Sequence, residues 1–581
     1  MLWNIGNTTV RNPNRIQDGL RVFADEFQGN LDGRIAEQNF ARRLASAGVV
    51  ELSRLEGDVS DLGRKWRSCF TQLGFASYKS YGKASSRFTT LELASQCPNL
   101  GLQGRPYELT PIGRRLLEAD TFSAIQDIFL RQLVRYEIPS PIESRYAGFR
   151  IKPFIYLLQV LKELKNRSED GLSYVEIGVF IQPTRNHDSV SSTVDEVLAF
   201  RREKELQSGT TAKLTYENNR LRATSGRVGL SQPNTLRDYA DTTSRYCRMT
   251  GLISLKGSRL ILRDEKLTVI EKIIENEPTF LSDTNPIGYL EDFYIGTHLP
   301  FDDTEIARSE ILKLIIRLNE KNIEPHAEIG TVQTITEVPA LQQIRYKLEE
   351  QFQDSLEDEF ARRQSENDQI EEIINYLKAL VRPRDFPNLL IDDKPAYFEW
   401  AVWRAYLAIN HINAPPSKTR RFPVDADFRP RGNAPGGGAD MVFPFADFIL
   451  GVEVTLTRGS RQEAVEGEPV RRHIADVKLE HPGTDTYGVF IAPEIDNNTA
   501  ETFRIGAWYR GDEIDFVNVV PFKLEQFIQM MEIFKRHRFQ PTAFKNLLDQ
   551  CLVHRNAHAP DWKRQIGTEI SRWNNSFMVS G

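Results

Sequence analysis

Apolar side chains recur at three- and four-residue intervals through residues 15–50 (Ile16, Leu20, Phe23, then Ile35, Phe40, Leu44), the spacing of a helix with one buried stripe. A stretch rich in Arg and aromatics, GRKWRSCFTQLGFASYKSYGK, follows, and then PYELTPIGRRLLEAD. The latter predicts a short strand, a Thr-Pro helix start and an amphipathic helix beginning near Pro111. A strand ending in Leu-Thr-x-x-Gly and running into a helix is the usual ending of a winged helix, a helix-turn-helix variant. The theme returns downstream. Residues 151–165 (IKPFIYLLQVLKELK) predict an apolar helix, and GLSYVEIGVFI a turn entering another apolar segment. Residues 234–262 predict a polar-faced helix, a stop at Gly251 and two short strands turning at Lys256-Gly257. Arg237, Arg245 and Arg248 project from that helix, and Lys256 and Arg259 flank the hairpin tip. With Arg64 and Lys65 of the earlier basic stretch, they are the candidate phosphate contacts. Residues 1–270 thus read as one region holding two or more such units.

Residues 271–384 change pattern. Long acidic helical stretches dominate, Leu348, Phe352, Leu356 and Phe360 repeat at heptad-like spacing, and VRPRDFPN marks a break. This is the pattern of a helical spacer. From 385 onward helix and strand alternate: the aromatic helix PAYFEWAVWRAYLAIN, the loop RPRGNAPGGG, strands in ADMVFPF and DFILGVEVTLT, and the helix PVRRHIADVKLE. The strand TYGVFIAPEI, the strand FVNVVPF and the helix KLEQFIQMMEIFKRH complete it. That order predicts an α/β sandwich around a mixed sheet. The fold class expected is multidomain α+β.

Composition narrows the class. The 581 residues are 40% hydrophobic and 27% charged, ample for cores and unlike a disordered or fibrous chain. No apolar run approaches the roughly 18–20 residues that span a bilayer. Neither a secretory leader pattern nor a C-x-x-C pair is present, so the expectation is a cytoplasmic protein with no membrane partner. The net charge of −6 hides an asymmetry. Residues 1–270 hold 39 Lys and Arg against 30 acids, 271–384 hold 12 against 24, and 385–581 hold 23 against 26. A basic first region fits a polyanion partner, and an acidic middle would be repelled by one.

The chemistry concentrates in 438–473, GADMVFPFADFILGVEVTLTRGSRQEAVEGEPVRRH. Asp440 opens one strand. Glu453 lies on the next, with Thr455 two residues on and so on the same face. If the strands pair as a hairpin, the two carboxylates meet, and they repel unless a divalent cation joins them. Oxygen ligands of this kind suit Mg²⁺, which can polarise a scissile phosphate and activate water. Glu399 sits between Phe398 and Trp400, where burial of a carboxylate is costly unless it is bound or protonated. Glu468 opens the predicted helix Pro469–Glu480, followed by Arg471, Arg472 and His473, placed to meet phosphate.

Asp440 followed after twelve residues by Glu453-Val454-Thr455 resembles the PD-(D/E)XK nuclease motif, with Ala439 in place of Pro and Thr455 in place of Lys. Together with YFEW, DFILGVEVT, GEPVRRH, FIAPEI–NNT, FLRQLVRYEIPSP and YADTTSRYCRMTGL, it is similar to the type IIS restriction endonucleases of the AlwI family and their strand-specific nicking relatives. The resemblance implies an N-terminal winged-helix DNA-recognition region (1–270), a helical linker (271–384) and a C-terminal α/β PD-(D/E)XK cleavage domain (385–581). It implies a metal held by Asp440 and Glu453, with Glu399 and Glu468 completing the acidic cluster and Glu468 among the metal ligands. Thr455 carries no positive charge, so the base role stays open among Glu468, His473 and a second metal. The partner implied is double-stranded DNA with an asymmetric site of about five base pairs, cut outside that site. One acidic site per chain cuts one strand, so a transient homodimer or a small catalytic subunit would complete a double-strand break. A nicking enzyme, and a DNA-binding regulator with an inactive nuclease fold, are the rival readings.

Two weaker patterns stand beside these. Cys551, His554 and His558 have a spacing that could face one side of a helix and bind Zn²⁺, with no fourth ligand evident. The GNAPGGG loop lacks the Lys-Ser/Thr ending of a phosphate-binding loop and reads as a flexible loop before the active strand.

Overall fold

The computed structural model describes residues 1–50, 57–79, 88–143, 146, 148–386, 389, 391 and 393–579. The end of the Arg-aromatic stretch (80–83) and the end of VRPRDFPN (387–388) lie outside the described residues. The fold is mixed α and β and mostly helical. Its contacts gather into two units, Met1–Phe352 and Gln353–Gly581.

In the first unit the 15–50 pattern forms two helices, Ile16–Glu26 and Gly33–Ser46. The chain reverses between them through Gly29, whose φ of +78° is a glycine conformation. A third helix, Ser60–Gln72, packs against the second. Ala76 then bridges Leu109, and Thr110 accepts the Gly113 N–H at 3.1 Å to start the helix Pro111–Glu118. Pro111 at the first helical position has no N–H to lose, which is why the Thr-Pro signal is readable.

The second half of this unit runs from the helix Pro153–Asn166 to β1 (Leu172–Ser173) and a short helical turn, Tyr174–Ile181. The helices Val190–Glu205, Thr210–Val228 and Pro233–Arg248 follow, and then the hairpin β2 (Ile253–Lys256) and β3 (Arg259–Leu262). The three strands pair antiparallel in the order β1-β3-β2. Fully buried Glu176 holds them down, pairing with Arg201 at 2.9 Å and Arg259 at 2.8 Å. Charge-paired burial of that kind ties the hairpin to the helices behind it.

Residues 271–384 are helical, as their pattern predicts, and are shared between the units. Tyr289, Phe293 and Tyr294 of the helix Pro286–Ile295 are buried in the first core. Ile373 and Leu377 of the helix Asn367–Val381 are buried in the second. The division falls inside the helix Val338–Arg363. Arg345 and Tyr346 of that helix both bond buried Asp127 in the first unit. The charge shifts at 270 and 384 record surface composition, whereas the units follow which apolar faces pack together.

The second unit is built on a four-stranded sheet, β4 (Met441–Pro444), β5 (Ile449–Val454), β6 (Thr486–Ala492) and β9 (Asn518–Lys523), in that spatial order. β4 is antiparallel to β5, and β5, β6 and β9 are mutually parallel. β5 and β6 are almost wholly buried, the mark of a sheet covered on both faces. The helix Glu468–Glu480 connects β5 to β6, and a separate hairpin, β7 (Ala507–Arg510) and β8 (Glu513–Phe516), precedes β9. Gly451 and Gly488 stand opposite each other on β5 and β6. A Cβ on Gly451 would come within 2.5 Å of Ile474, and one on Gly488 within 2.8 Å. The two glycines therefore make the seat on which Ile474 sets the depth of its helix against the sheet.

Replacing Gly488 with Val should overpack this seat and lower stability by about 1–3 kcal/mol. Gly436→Ala, at a glycine with open space around it, should leave stability unchanged. Urea denaturation of the two variants beside the parent chain checks this.

Candidate active site

The β4–β5 hairpin fixes the central pair. Met441 stands opposite Val452 and Val442 opposite Gly451, so Asp440, one step before β4, falls beside Glu453. Asp440 Oδ2 accepts the Val454 N–H at 3.0 Å, which locks the aspartate to the strand it faces. Glu453 is 7% exposed, and the two carboxyls are hydrogen-bonded to each other. Burial and the neighbouring carboxylate push Asp440 well above its ordinary range. Burial first, with Glu466 adding, pushes Glu453 up to about 8. Like charges this close and this dry cannot both ionise without a cation or a shared proton.

Glu399 comes to the same place from the buried aromatic helix Lys394–Ile409. Its Oε2 accepts the Ala434 N–H at 2.7 Å, so it anchors the glycine-rich loop that leads into β4. Burial and the charge of Asp440 hold its carboxyl well above the usual carboxylate range. Across the sheet, His473 Nδ1 lies 2.6 Å from Glu453 Oε1. Burial, with Arg472 and Arg421 nearby, lowers the His473 pKa and so favours the neutral ring. Its Nε2 is buried with no protein partner among the described residues.

Glu468 is not brought to this cluster. Its side chain is 54% exposed and takes a hydrogen bond from Arg472 Nε at 3.0 Å. The acid that arrives instead is Glu466, half-buried in a π-helical turn, Glu463–Gly467, that precedes the helix. Glu466 is hydrogen-bonded to Thr455 and raises the pKa of both Asp440 and Glu453. Glu466 and His473 are seven residues apart, two helical turns and one face, whereas Glu468 is five residues from His473 and points elsewhere. That period was the available signal. Thr455 also accepts the Thr457 N–H at 3.1 Å. Arg471 is spent on the carbonyls of Gly467 and Ala507, and Arg472 on Glu468, so neither reaches into the site as expected.

A cation does stand close by. Arg421, whose backbone N–H bonds the Asp440 carbonyl at 3.0 Å, is exposed and lowers the pKa of both Glu453 and His473. Gly438 leaves room for it: a Cβ there would meet Arg421 Nη1 at 2.5 Å. Among the described residues no three His, Cys, Asp or Glu side chains form a ready-made metal shell. Two adjacent carboxylates with the other positions left to water or phosphate oxygens nevertheless fit Mg²⁺, which keeps its waters and is rarely caged by protein alone. Cys551, His554 and His558 do not assemble: Cys551 is buried, and His554 pairs with Glu569 at 3.2 Å.

The expected phosphate contacts divide by partner. Arg64 and Lys65 share Asp61, Arg237 bonds Asn218, Arg245 pairs with Asp241, and Arg248 is half-buried. Arg259 is the structural latch on Glu176 rather than a free hairpin-tip cation. Lys256 is exposed at the tip of the β2–β3 turn.

A carboxyl with a higher pKa folded than unfolded contributes most to stability below its ordinary value, and that contribution fades as pH rises through the folded value. For Glu453 the window runs from 4.5 to about 8. Metal-free protein should therefore lose stability across it, and Glu453→Gln should lose less; thermal melts at a series of pH values test this.

Against known proteins, the family model described as AlwI restriction endonuclease matches residues 71–530, most of the chain. Among curated proteins, none matches the sequence. Among solved structures, the small subunit of the heterodimeric restriction endonuclease R.BspD6I is 22% identical with a TM-score of 0.29, covering 35% of this chain and 98% of its own. The BpuJ1 endonuclease binding domain, solved with pyrene- and phenanthrene-modified DNA, is 12% identical with a TM-score of 0.32, covering 51% of this chain and 96% of its own. No helix among the described residues is long and apolar enough to cross a membrane. On the extent of the family match, this chain belongs to the AlwI restriction endonuclease family.

Proposed function

We propose that the chain is a Mg²⁺-dependent restriction endonuclease of type IIS, binding a short asymmetric duplex sequence and cutting at a fixed distance outside it. The observation that carries the proposal is the buried pair of Asp440 and Glu453, brought side by side at the end of the β4–β5 hairpin. Asp440 and Glu453 would hold the metal, which when bound supplies Lewis-acid polarisation of the scissile phosphate and a more acidic water. His473 fixes the rotamer of Glu453, Glu399 fixes the loop before Asp440, and Glu466 adds negative charge through its bond to Thr455. Arg421 takes the place of the cation that Thr455 cannot supply, orienting a phosphate oxygen beside the acids.

The unit fold here is a PD-(D/E)XK-like cleavage domain, supported by its antiparallel hairpin followed by parallel strands and by the acids at the hairpin's end. Winged-helix recognition is supported by a helix and strand (Pro153–Ser173), a helix running into a hairpin (Pro233–Leu262) and strands ordered β1-β3-β2, with a short helical turn and the helices Val190–Glu205 and Thr210–Val228 inserted between the two parts. One acid pair per chain cuts one strand. A second copy or a small catalytic subunit would complete a double-strand break, and a chain acting alone would nick. The intact acids argue against an inactive, purely regulatory protein.

Asp440→Ala and Glu453→Ala should abolish plasmid cleavage while duplex binding persists. Arg421→Ala should slow cleavage about 10–100-fold, and Glu468→Gln should leave it within about twofold. Cleavage intact in both acid variants would overturn the site assignment.

A further inference from the structure

The pair of helices Val190–Glu205 and Thr210–Val228 lies between the short helical turn and the helix Pro233–Arg248, outside the helix-and-hairpin pattern legible in the sequence. Its charges are sorted. Along the seam between the two helices Tyr216 stacks on Phe200 (5.4 Å, 27°), Lys204 pairs with Glu217 at 2.6 Å, Lys213 pairs with Glu205, and the Tyr216 hydroxyl bonds Glu203. The inner face of Thr210–Val228 buries Leu221, Thr224 and Ser225, and Asn218 accepts from Arg237 of the next helix at 2.9 Å. The acids near this helix are thereby consumed by the seam.

The opposite face carries Arg220, Arg222 and Arg227, all exposed. At 100° per residue these three, with Ala223 and Gly226 between them, fall within about 160° of arc, and Glu217, about 60° beyond its Arg220 edge, is paired with Lys204. Among the described residues no carboxylate pairs with any of the three; Arg220 only lies over the Phe180 ring, 5.9 Å from its centroid. A Cβ on Gly226 would meet nothing, so the ridge between the arginines is low and open. Residues 220 to 227 span about 10 Å of helix, room for roughly three phosphates of one strand at 3.4 Å rise each.

We propose that this arginine face of Thr210–Val228 is a contact surface for the phosphate backbone of duplex DNA, adding affinity without reading sequence. Small-residue surroundings whose nearby acids are paired at the seam suit a polyanion that must approach closely, and guanidinium is the group best matched to phosphate oxygens. The inference rests on the reading that the chain binds duplex DNA.

The test is binding of a random-sequence duplex of about 40 base pairs by the full chain, in EDTA and across a salt series. The comparison is between the parent, the triple variant Arg220→Ala/Arg222→Ala/Arg227→Ala, and the triple Arg→Lys variant. Loss of three phosphate contacts should weaken binding roughly tenfold or more and flatten the log K against log salt slope by about 2–3, and the Lys variant should keep the parental slope. A triple Ala variant with the parent's affinity and slope, and an unchanged circular dichroism spectrum, overturns this inference alone. A parent chain that binds no duplex at all overturns both this inference and the DNA-binding reading beneath it.

Discussion

Two carboxyl groups held together out of water set the terms for the second unit. A hairpin register places Asp440 beside Glu453, and the Val454 N–H pins the aspartate there. With Asp440 held by the Val454 N–H and Glu453 by His473, a proton or a cation relieves the repulsion. The neighbouring elements serve that constraint. The aromatic helix delivers Glu399 to the loop before Asp440, and the glycine seat on β5 and β6 lets Ile474 bring its helix low enough for His473 to reach Glu453. An interaction this unfavourable in isolation is retained where the relief comes from something the site binds.

Asp440, Glu453, Thr455 and Glu399 are legible in the sequence because each depends on local pattern: alternation along a strand, a hairpin-length interval, an acid embedded in an aromatic helix; His473, read beside Arg471 and Arg472 as facing phosphate, meets Glu453 instead. Glu466 is not legible, because the pattern starts its helix at Pro469 while helical turns begin eight residues earlier, at Arg461. Arg421 is not, because it reaches the site through a backbone pairing of Arg420 with Met441, twenty-one residues away, that no periodicity announces. The basic candidates of the first unit show the converse. Sequence reports a charge but not its partner, so Arg259 reads as a hairpin-tip cation, although Glu176 holds it.

The same distinction explains the charge map. Segment totals mark residues 1–270 as basic, yet many of those cations are spent on ion pairs within the first unit. What distinguishes a surface able to meet a polyanion is the sorting of charge within an element. On the helix Thr210–Val228 the seam takes the acids and leaves the arginines outward. Unit boundaries follow a third rule, the packing of apolar faces, which is why acidic residues 271–384 contribute to both cores.

The most direct test of the central claim is to incubate the purified chain with supercoiled plasmid and Mg²⁺ and map breaks on each strand by run-off sequencing. The account predicts breaks at one constant distance from a single short asymmetric sequence, on one or both strands, and none from the Asp440→Ala chain. Breaks scattered without relation to sequence, or an unchanged pattern from Asp440→Ala, would contradict it.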